Sequence, residues 1–242
     1  MCKRLLLVTT ALAMLGGAAQ AADIPLKAPP RVAAAVYDWT GFYVGINGGV
    51  ATGDLDWTYR QTDPLIIQRG DHRTDGGFFG GHVGAQVQFH NNLVLGVEFN
   101  MIGSDISGSA RCDNPDFRCS SKVDRLWTVG PRAGFALNNV LFYGTGGYAS
   151  GRVRTSTLDL VDGFPPDFTD VTHHGWFAGG GIEAAIMPNL IAGVEFTHFD
   201  LGSRLHTTSI PAAPDLDRNV STDFNTIRAR LSYKFAVPGM SR

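Results

Sequence analysis

Beyond its leader the chain has no run of eighteen consecutive apolar residues, and that absence excludes a membrane-spanning helix. It is also short of cysteine. Only three occur, and Cys2 precedes the apolar part of the leader, where a lipid-anchoring cysteine would instead end it. Charge of either sign is scarce as well: 20 Lys and Arg stand against 22 Asp and Glu, which gives no basic surplus for nucleic acid. A mean hydropathy near zero is too polar for a helical membrane protein, although it suits a barrel in which half of each strand faces water.

What is present begins with an export signal. Lys3 and Arg4 open a basic start, Leu5 to Ala13 is apolar, and Ala19-Gln20-Ala21 supplies small residues for cleavage between Ala21 and Ala22. We read residues 1–21 as a signal peptide and 22–38, rich in Pro and Ala, as an extended periplasmic leader. Residues 39–235 follow as an outer-membrane β-barrel, and 236–242 as a periplasmic tail. Removal of Lys3 and Arg4 leaves 18 basic against 22 acidic residues.

Eight stretches of about eleven to fifteen residues alternate apolar and polar side chains. Between Gly77 and His90, Phe79, Val83, Val87 and Phe89 share one face, while Phe78, His82, Gln86 and Gln88 share the other. One face suits lipid and the other a polar lumen. Because a bilayer offers no water to backbone amides, such strands cross it only as a closed sheet. The expected fold is therefore all-β, an eight-stranded antiparallel up-and-down transmembrane barrel.

Strand one opens at Trp39 in this reading, with Phe42, Val44, Ile46 and Val50 outward and Tyr43, Gly45 and Asn47 inward. Strands follow at about 76–90, from 93, about 123–137, from 140, about 172–186, from 190 and, last, up to Phe235. Strand five carries aromatics on both faces, so its register stays open. Turns fall at Asn91-Asn92, Asn138-Asn139 and Pro188-Asn189. The connections run about 25, 2, 19, 2, 17, 3 and 20 residues, and this alternation places short turns in the periplasm and long loops outside the cell. An even strand count then leaves both termini periplasmic. Trp39, Trp127, Trp176, Tyr233 and Phe235 are expected in lipid-facing aromatic girdles.

The inward parity gathers Glu98, Glu183 and Glu195 with Arg132, Arg228 and Arg230. They form either a charged constriction for solutes or a paired network that plugs the lumen. We expect the plug, because eight strands enclose little more than side chains and charges taken from water must pair. Cys112 and Cys119 enclose six residues, and export to an oxidising compartment makes a loop disulfide the expected outcome. No metal site is expected: His173 and His174 adjoin and so face opposite sides, and His198 and His206 have no ligand spacing. Ser203 with His198 or His206 is the one conceivable nucleophile and base, but no motif marks them and no catalytic residue is assigned. No cofactor is expected.

WTGFYVGINGG at 39–49, GGHVGAQVQF at 80–89, LVLGVEFNMIGSDISG at 93–108, LFYGTGGYASG at 141–151, GWFAGGGIEAAI at 175–186 and TIRARLSYKF at 226–235 resemble the outer-membrane immunogenic proteins of the small porin family. The leader ADIPLKAPP resembles theirs too. The resemblance implies an OmpA-like, non-enzymatic barrel in a Gram-negative outer membrane, with an envelope-structural role and antigenic surface loops. A small-solute porin is the alternative, and binding of a haem-like surface ligand is suggested by analogy with relatives. Partners implied are outer-membrane lipid and lipopolysaccharide, the barrel-assembly machinery through the C-terminal strand, and host or surface ligands. Two departures stand out. Where the family pattern runs roughly TVRGRLGY, this chain has TVGPRAGF, so Gly130 replaces an arginine and Pro131 should bring a bulge or local distortion to strand four. The tail AVPGMSR also follows Phe235, where the family usually stops.

Overall fold

A computed structural model of the protein describes residues 37–62, 65–111, 117–159, 167–206 and 218–235. The Ala21/Ala22 cleavage site, residues 22–36 of the leader, Cys112 and the tail after Phe235 lie outside them. The strands are β1 (Gly41–Thr62), β2 (Leu65–Gln88), β3 (Leu93–Arg111), β4 (Phe117–Leu137), β5 (Val140–Asp159), β6 (Asp167–Met187), β7 (Leu190–His206) and β8 (Arg218–Phe235). Each pairs antiparallel with its sequence neighbour, and β1 pairs with β8, which closes the barrel.

Closure leaves two surfaces. Phe42, Val44, Ile46, Val50, Val97, Met101, Val194 and Ile227 are exposed on the outer one, an apolar band that only lipid can cover. Their alternate neighbours Tyr43, Asn47, Asn100, Arg228 and Arg230 are buried inside. The register left open in strand five is fixed by the ladder: Leu141 and Tyr143 point inward, and Phe142 and Tyr148 point outward. Asn92 and Asn138 adopt the left-handed backbone conformation in their turns, which asparagine tolerates better than other side chains with a Cβ.

Three expectations need correction. The long connections are mostly sheet: β1 runs for 22 residues, about twice the 9–11 that a tilted strand needs to cross a bilayer. Beyond the lipid no side chain must be apolar, so the alternating pattern stops while backbone pairing continues. Second, β1 begins at Gly41, and Trp39 is fully buried at the tight-turn end of the barrel rather than set in a lipid-facing girdle. Trp127, Trp176, Tyr233 and Phe235 do face outward. Third, Cys119 lies within β4 opposite Ala110 of β3, not between strands.

At Pro131 the expected disturbance is a local distortion rather than a bulge. The β4–β5 ladder pairs Val129 with Tyr148 and resumes at Arg132 with Thr145, in the same register, so the gap at Gly130 and Pro131 is not a bulge. Proline offers no N–H there, and its carbonyl instead accepts from Thr145 Oγ1 at 3.1 Å.

Candidate functional site

The lumen is filled in three layers. Toward the long-strand end Phe78, Ile102, Ile106, Leu126, Phe177, Phe199, Leu201 and Phe224 form an apolar cluster with almost no exposure. Phe199 stacks on Phe224 with ring centres 4.8 Å apart. At the tight-turn end Trp39, Val94, Ala136, Leu141, Tyr143 and Ile191 form a second apolar cluster. Trp39 is fixed from both sides of its backbone: its N–H donates to Gln88 Oε1 and its carbonyl accepts from Gln86 Nε2, both at 2.9 Å. Beside it the Lys234 ammonium lies 4.1 Å from the centre of the Tyr37 ring and donates to the Asp38 carbonyl.

Between these layers lie the six charged residues picked out by inward parity, and they are in mutual contact. Arg132 Nη2 meets Glu183 Oε2 at 2.7 Å, and its Nη1 meets Glu98 Oε2 at 3.2 Å. Arg230 bridges all three acids, with Nη2 to Glu98 Oε2 at 2.6 Å, Nη1 to Glu195 Oε2 at 2.5 Å and Nε to Glu183 Oε1 at 3.2 Å. The last is a close approach of charges without hydrogen-bond alignment, since neither atom has a hydrogen-bond partner. Arg228 pairs with Glu195, its direct cross-strand neighbour. Glu195 is completely buried, and Glu98, the most accessible of the six, has a side-chain exposure of only 10%. Three negative and three positive charges therefore cancel inside a space nearly closed to water.

Room for these long side chains comes from glycine. Each of the six has at least one glycine beside it in a neighbouring strand: Gly84 and Gly130 flank Glu98, Gly96 faces Arg132, and Gly193 faces both Glu183 and Arg230. Gly181 faces Glu195, and Gly49 faces Arg228. A Cβ on Gly193 would come within 2.6 Å of Glu183 Cγ, so the glycine is a matter of space rather than backbone freedom.

Other residues complete the layer. Tyr43 donates from its hydroxyl to Glu98 Oε2 at 2.8 Å and accepts from Arg132 at 2.9 Å. Tyr143 and Thr197 donate to Glu195 at 2.6 and 2.7 Å, and the Arg132 guanidinium lies 4.0 Å from the centre of the Tyr143 ring. His82 accepts from Asn47 at Nδ1, which leaves Nε2–H to donate to Ser232 Oγ at 2.8 Å. Inward parity already placed Tyr43 and His82, but Tyr143 was hidden by the open register of strand five.

The remaining candidates part company. His173 and His206, unpaired in the sequence reading, meet at the long-strand end with Nε2 atoms 2.9 Å apart. The signal that could have joined them is weak: His173 has the inward parity of β6, but the register shift between Asp200 and Ser203 puts His206 out of step with the inward positions of β7. His174 faces outward and meets the Tyr148 hydroxyl at 2.6 Å. Ser203 is exposed, His198 Nδ1 faces Asn225 Oδ1 at 3.0 Å, and nothing aligns Ser203 with either histidine among the described residues. No group of three metal-ligating side chains gathers among the described residues. The expected Cys112–Cys119 bridge falls outside them.

Residues 9–235 match the family model described as the outer membrane protein beta-barrel domain. The chain belongs to this family. It is 34% identical to the 31 kDa outer-membrane immunogenic protein of Brucella melitensis biotype 1 over 92% of this chain and 96% of that one. The 25 kDa outer-membrane immunogenic protein of Brucella ovis is 28% identical, covering 86% and 94% of the two chains. Among solved structures, the outer membrane protein OprG from Pseudomonas aeruginosa has the same fold, with a TM-score of 0.53, 16% identity and coverage of 83% of this chain and 98% of that one. The chain is thus an outer-membrane β-barrel of a Gram-negative bacterium, and its similarity to proteins named as immunogenic supports a surface-antigen role.

Proposed function

We propose that this barrel is a non-conducting, non-enzymatic envelope protein that holds its long-strand end outside the cell, where antibodies, host molecules or other surface ligands meet it. In this reading the tight turns and both termini are periplasmic, and β8, ending at Phe235, engages the assembly machinery. The observation that carries it is the filled lumen: among the described residues, two apolar clusters flank a charge-balanced middle layer and leave little room for a hydrated solute. The tight turns at 91–92, 138–139 and 188–189 support the orientation, because barrels of this class keep short turns on the periplasmic side.

Purified protein in a planar bilayer tests the closed lumen. The expected trace is flat, broken by rare small openings. Stable, stepwise conductance would turn the assignment to a small-solute porin.

A further inference from the structure

The outward face of β3, β4, β5 and β6 climbs in rows set by the ladder. Phe99, Val129, Tyr148 and Trp176 make one row, and Met101, Trp127, Ser150 and His174 make the next. Their rings form a continuous aromatic platform: Phe99 to Trp127 is 6.2 Å, Trp127 to Tyr148 is 5.3 Å and Tyr148 to His174 is 6.0 Å. Such aromatics mark the headgroup level of a bilayer. The row above it contains Gly103, Arg125, Arg152 and Thr172. Arg125 sits two residues beyond Trp127, about 7 Å further from the lipid core.

Arg125 and Arg152 are directly opposite each other in the β4–β5 ladder, and both are exposed. Like charges in that relation destabilise a sheet unless an anion lies between them. The nearby carboxylates do not serve. Asp105 is held by Lys122 at 2.7 Å, and Asp124 and Asp170 are held by Arg154, both at 3.1 Å. Neither Arg125 nor Arg152 has an acidic partner among the described residues. A bulge between Val123 and Arg125 contributes to this: Val123 and Leu126 both stay inside, Asp124 is turned to Arg154, and Arg125 is left free.

We infer that Arg125 and Arg152 form a binding site for a phosphate group of the outer-leaflet glycolipid, the lipid A portion of lipopolysaccharide. Two guanidinium forks facing one gap match the geometry of a phosphate, which accepts paired hydrogen bonds from each. Gly103 and Thr172 flank the pair with little bulk, and the aromatic platform beneath receives the acyl and sugar parts of the same molecule. The inference rests on the orientation proposed above, since only the outer leaflet presents this glycolipid.

The test uses the mature protein refolded in zwitterionic detergent, with bisphosphorylated lipid A, its dephosphorylated form and inorganic phosphate as probes. Binding is read from emission of Trp127 and Trp176, and stability from the temperature at which the folded gel band disappears. The Arg125→Gln/Arg152→Gln variant should bind bisphosphorylated lipid A roughly 10- to 100-fold more weakly than the parent, the range for losing hydrogen bonds to a charged group. Without lipid it should be at least as stable as the parent, because the opposed charges are gone, and with lipid it should be less stable. A merely structural role for the arginines would not produce that change of sign.

Arg204→Gln, at an exposed arginine of β7, serves as the charge control and should bind as the parent does. Equal affinity in the double variant and parent, an equal loss in Arg204→Gln, or equal binding of dephosphorylated lipid A overturns the site. Inorganic phosphate bound as tightly as lipid A assigns it to a small anion and overturns the glycolipid. A peptide tag between Thr62 and Leu65, labelled on intact cells, tests the orientation separately: an unlabelled tag removes orientation and site together, while a labelled tag with unchanged lipid binding removes the site alone.

Discussion

Arg230→Met is the sharpest perturbation of the lumen. The guanidinium of Arg230 touches Glu98, Glu183 and Glu195, so its loss leaves three carboxylates to share Arg132 and Arg228 between two apolar seals. Breaking a buried pair by removing one partner costs about 3 to 5 kcal/mol, and the threefold engagement here places the expected loss toward the upper end. By contrast, Lys122→Met, which breaks the exposed pair of Lys122 and Asp105, should cost far less, because solvent screens that pair. The assay is reversible urea unfolding in detergent, followed by the folded fraction on unboiled gels. Adding Glu98→Gln to Arg230→Met restores neutrality and should recover a substantial part of the loss, a coupling that a packing defect alone does not give. If Arg230→Met costs no more than Lys122→Met, or if the second substitution recovers nothing, the charges are hydrated and the layer is not a plug.

Three further outcomes are expected. Trp39→Ala should cost about 3 to 5 kcal/mol, since it empties a fully buried site in the tight-turn mouth; an unchanged unfolding midpoint would place that side chain outside the barrel. Pro131→Val should raise stability by about 0.5 to 1.5 kcal/mol by returning a donor to the β4–β5 gap, with a loss of stability refuting the account of the gap. Cys112→Ser should still assemble, with the parent showing no free thiols after export; failure to assemble would mean that the bridge does more than close a short loop.

Much of the barrel was legible because lipid imposes a rule on every second residue. Wherever β1, β2, β3, β4, β6, β7 and β8 lie in the bilayer, an outward polar side chain would be costly, so the sequence must alternate and the inward set can be read off by parity. The same parity picks out Glu98, Arg132, Glu183, Glu195, Arg228 and Arg230, and the fold brings these six into contact. Illegibility began where the rule lapses. Beyond the lipid the outer face need not be apolar, so strand length left no periodic trace, and the meeting of His173 with His206 was hidden by the register shift between Asp200 and Ser203. Trp39 was misread because an aromatic residue at a strand end suits a lipid girdle or a plugged mouth equally well. Its complete burial, with its backbone held by Gln86 and Gln88, decides between them.

The filled lumen follows from where a barrel of this size can gain stability. Its outer apolar face meets lipid tails as readily as protein, so burying that face adds little that distinguishes the folded chain once it is in the membrane. Inside, the balance differs: Phe78, Phe177, Phe199 and Phe224 occupy positions of inward parity, where an aqueous channel would expose them to water. Packing them together removes that cost and dries the space beside the charged layer. Drying in turn strengthens each ion pair and raises the cost of leaving any one of them broken. The apolar seals and the balanced charges therefore depend on each other. Opening the seal at the long-strand end, as in Phe199→Ala with Phe224→Ala, should admit water to the charged layer and reduce the penalty of Arg230→Met measured in that background. An unchanged penalty would mean that the two layers act independently.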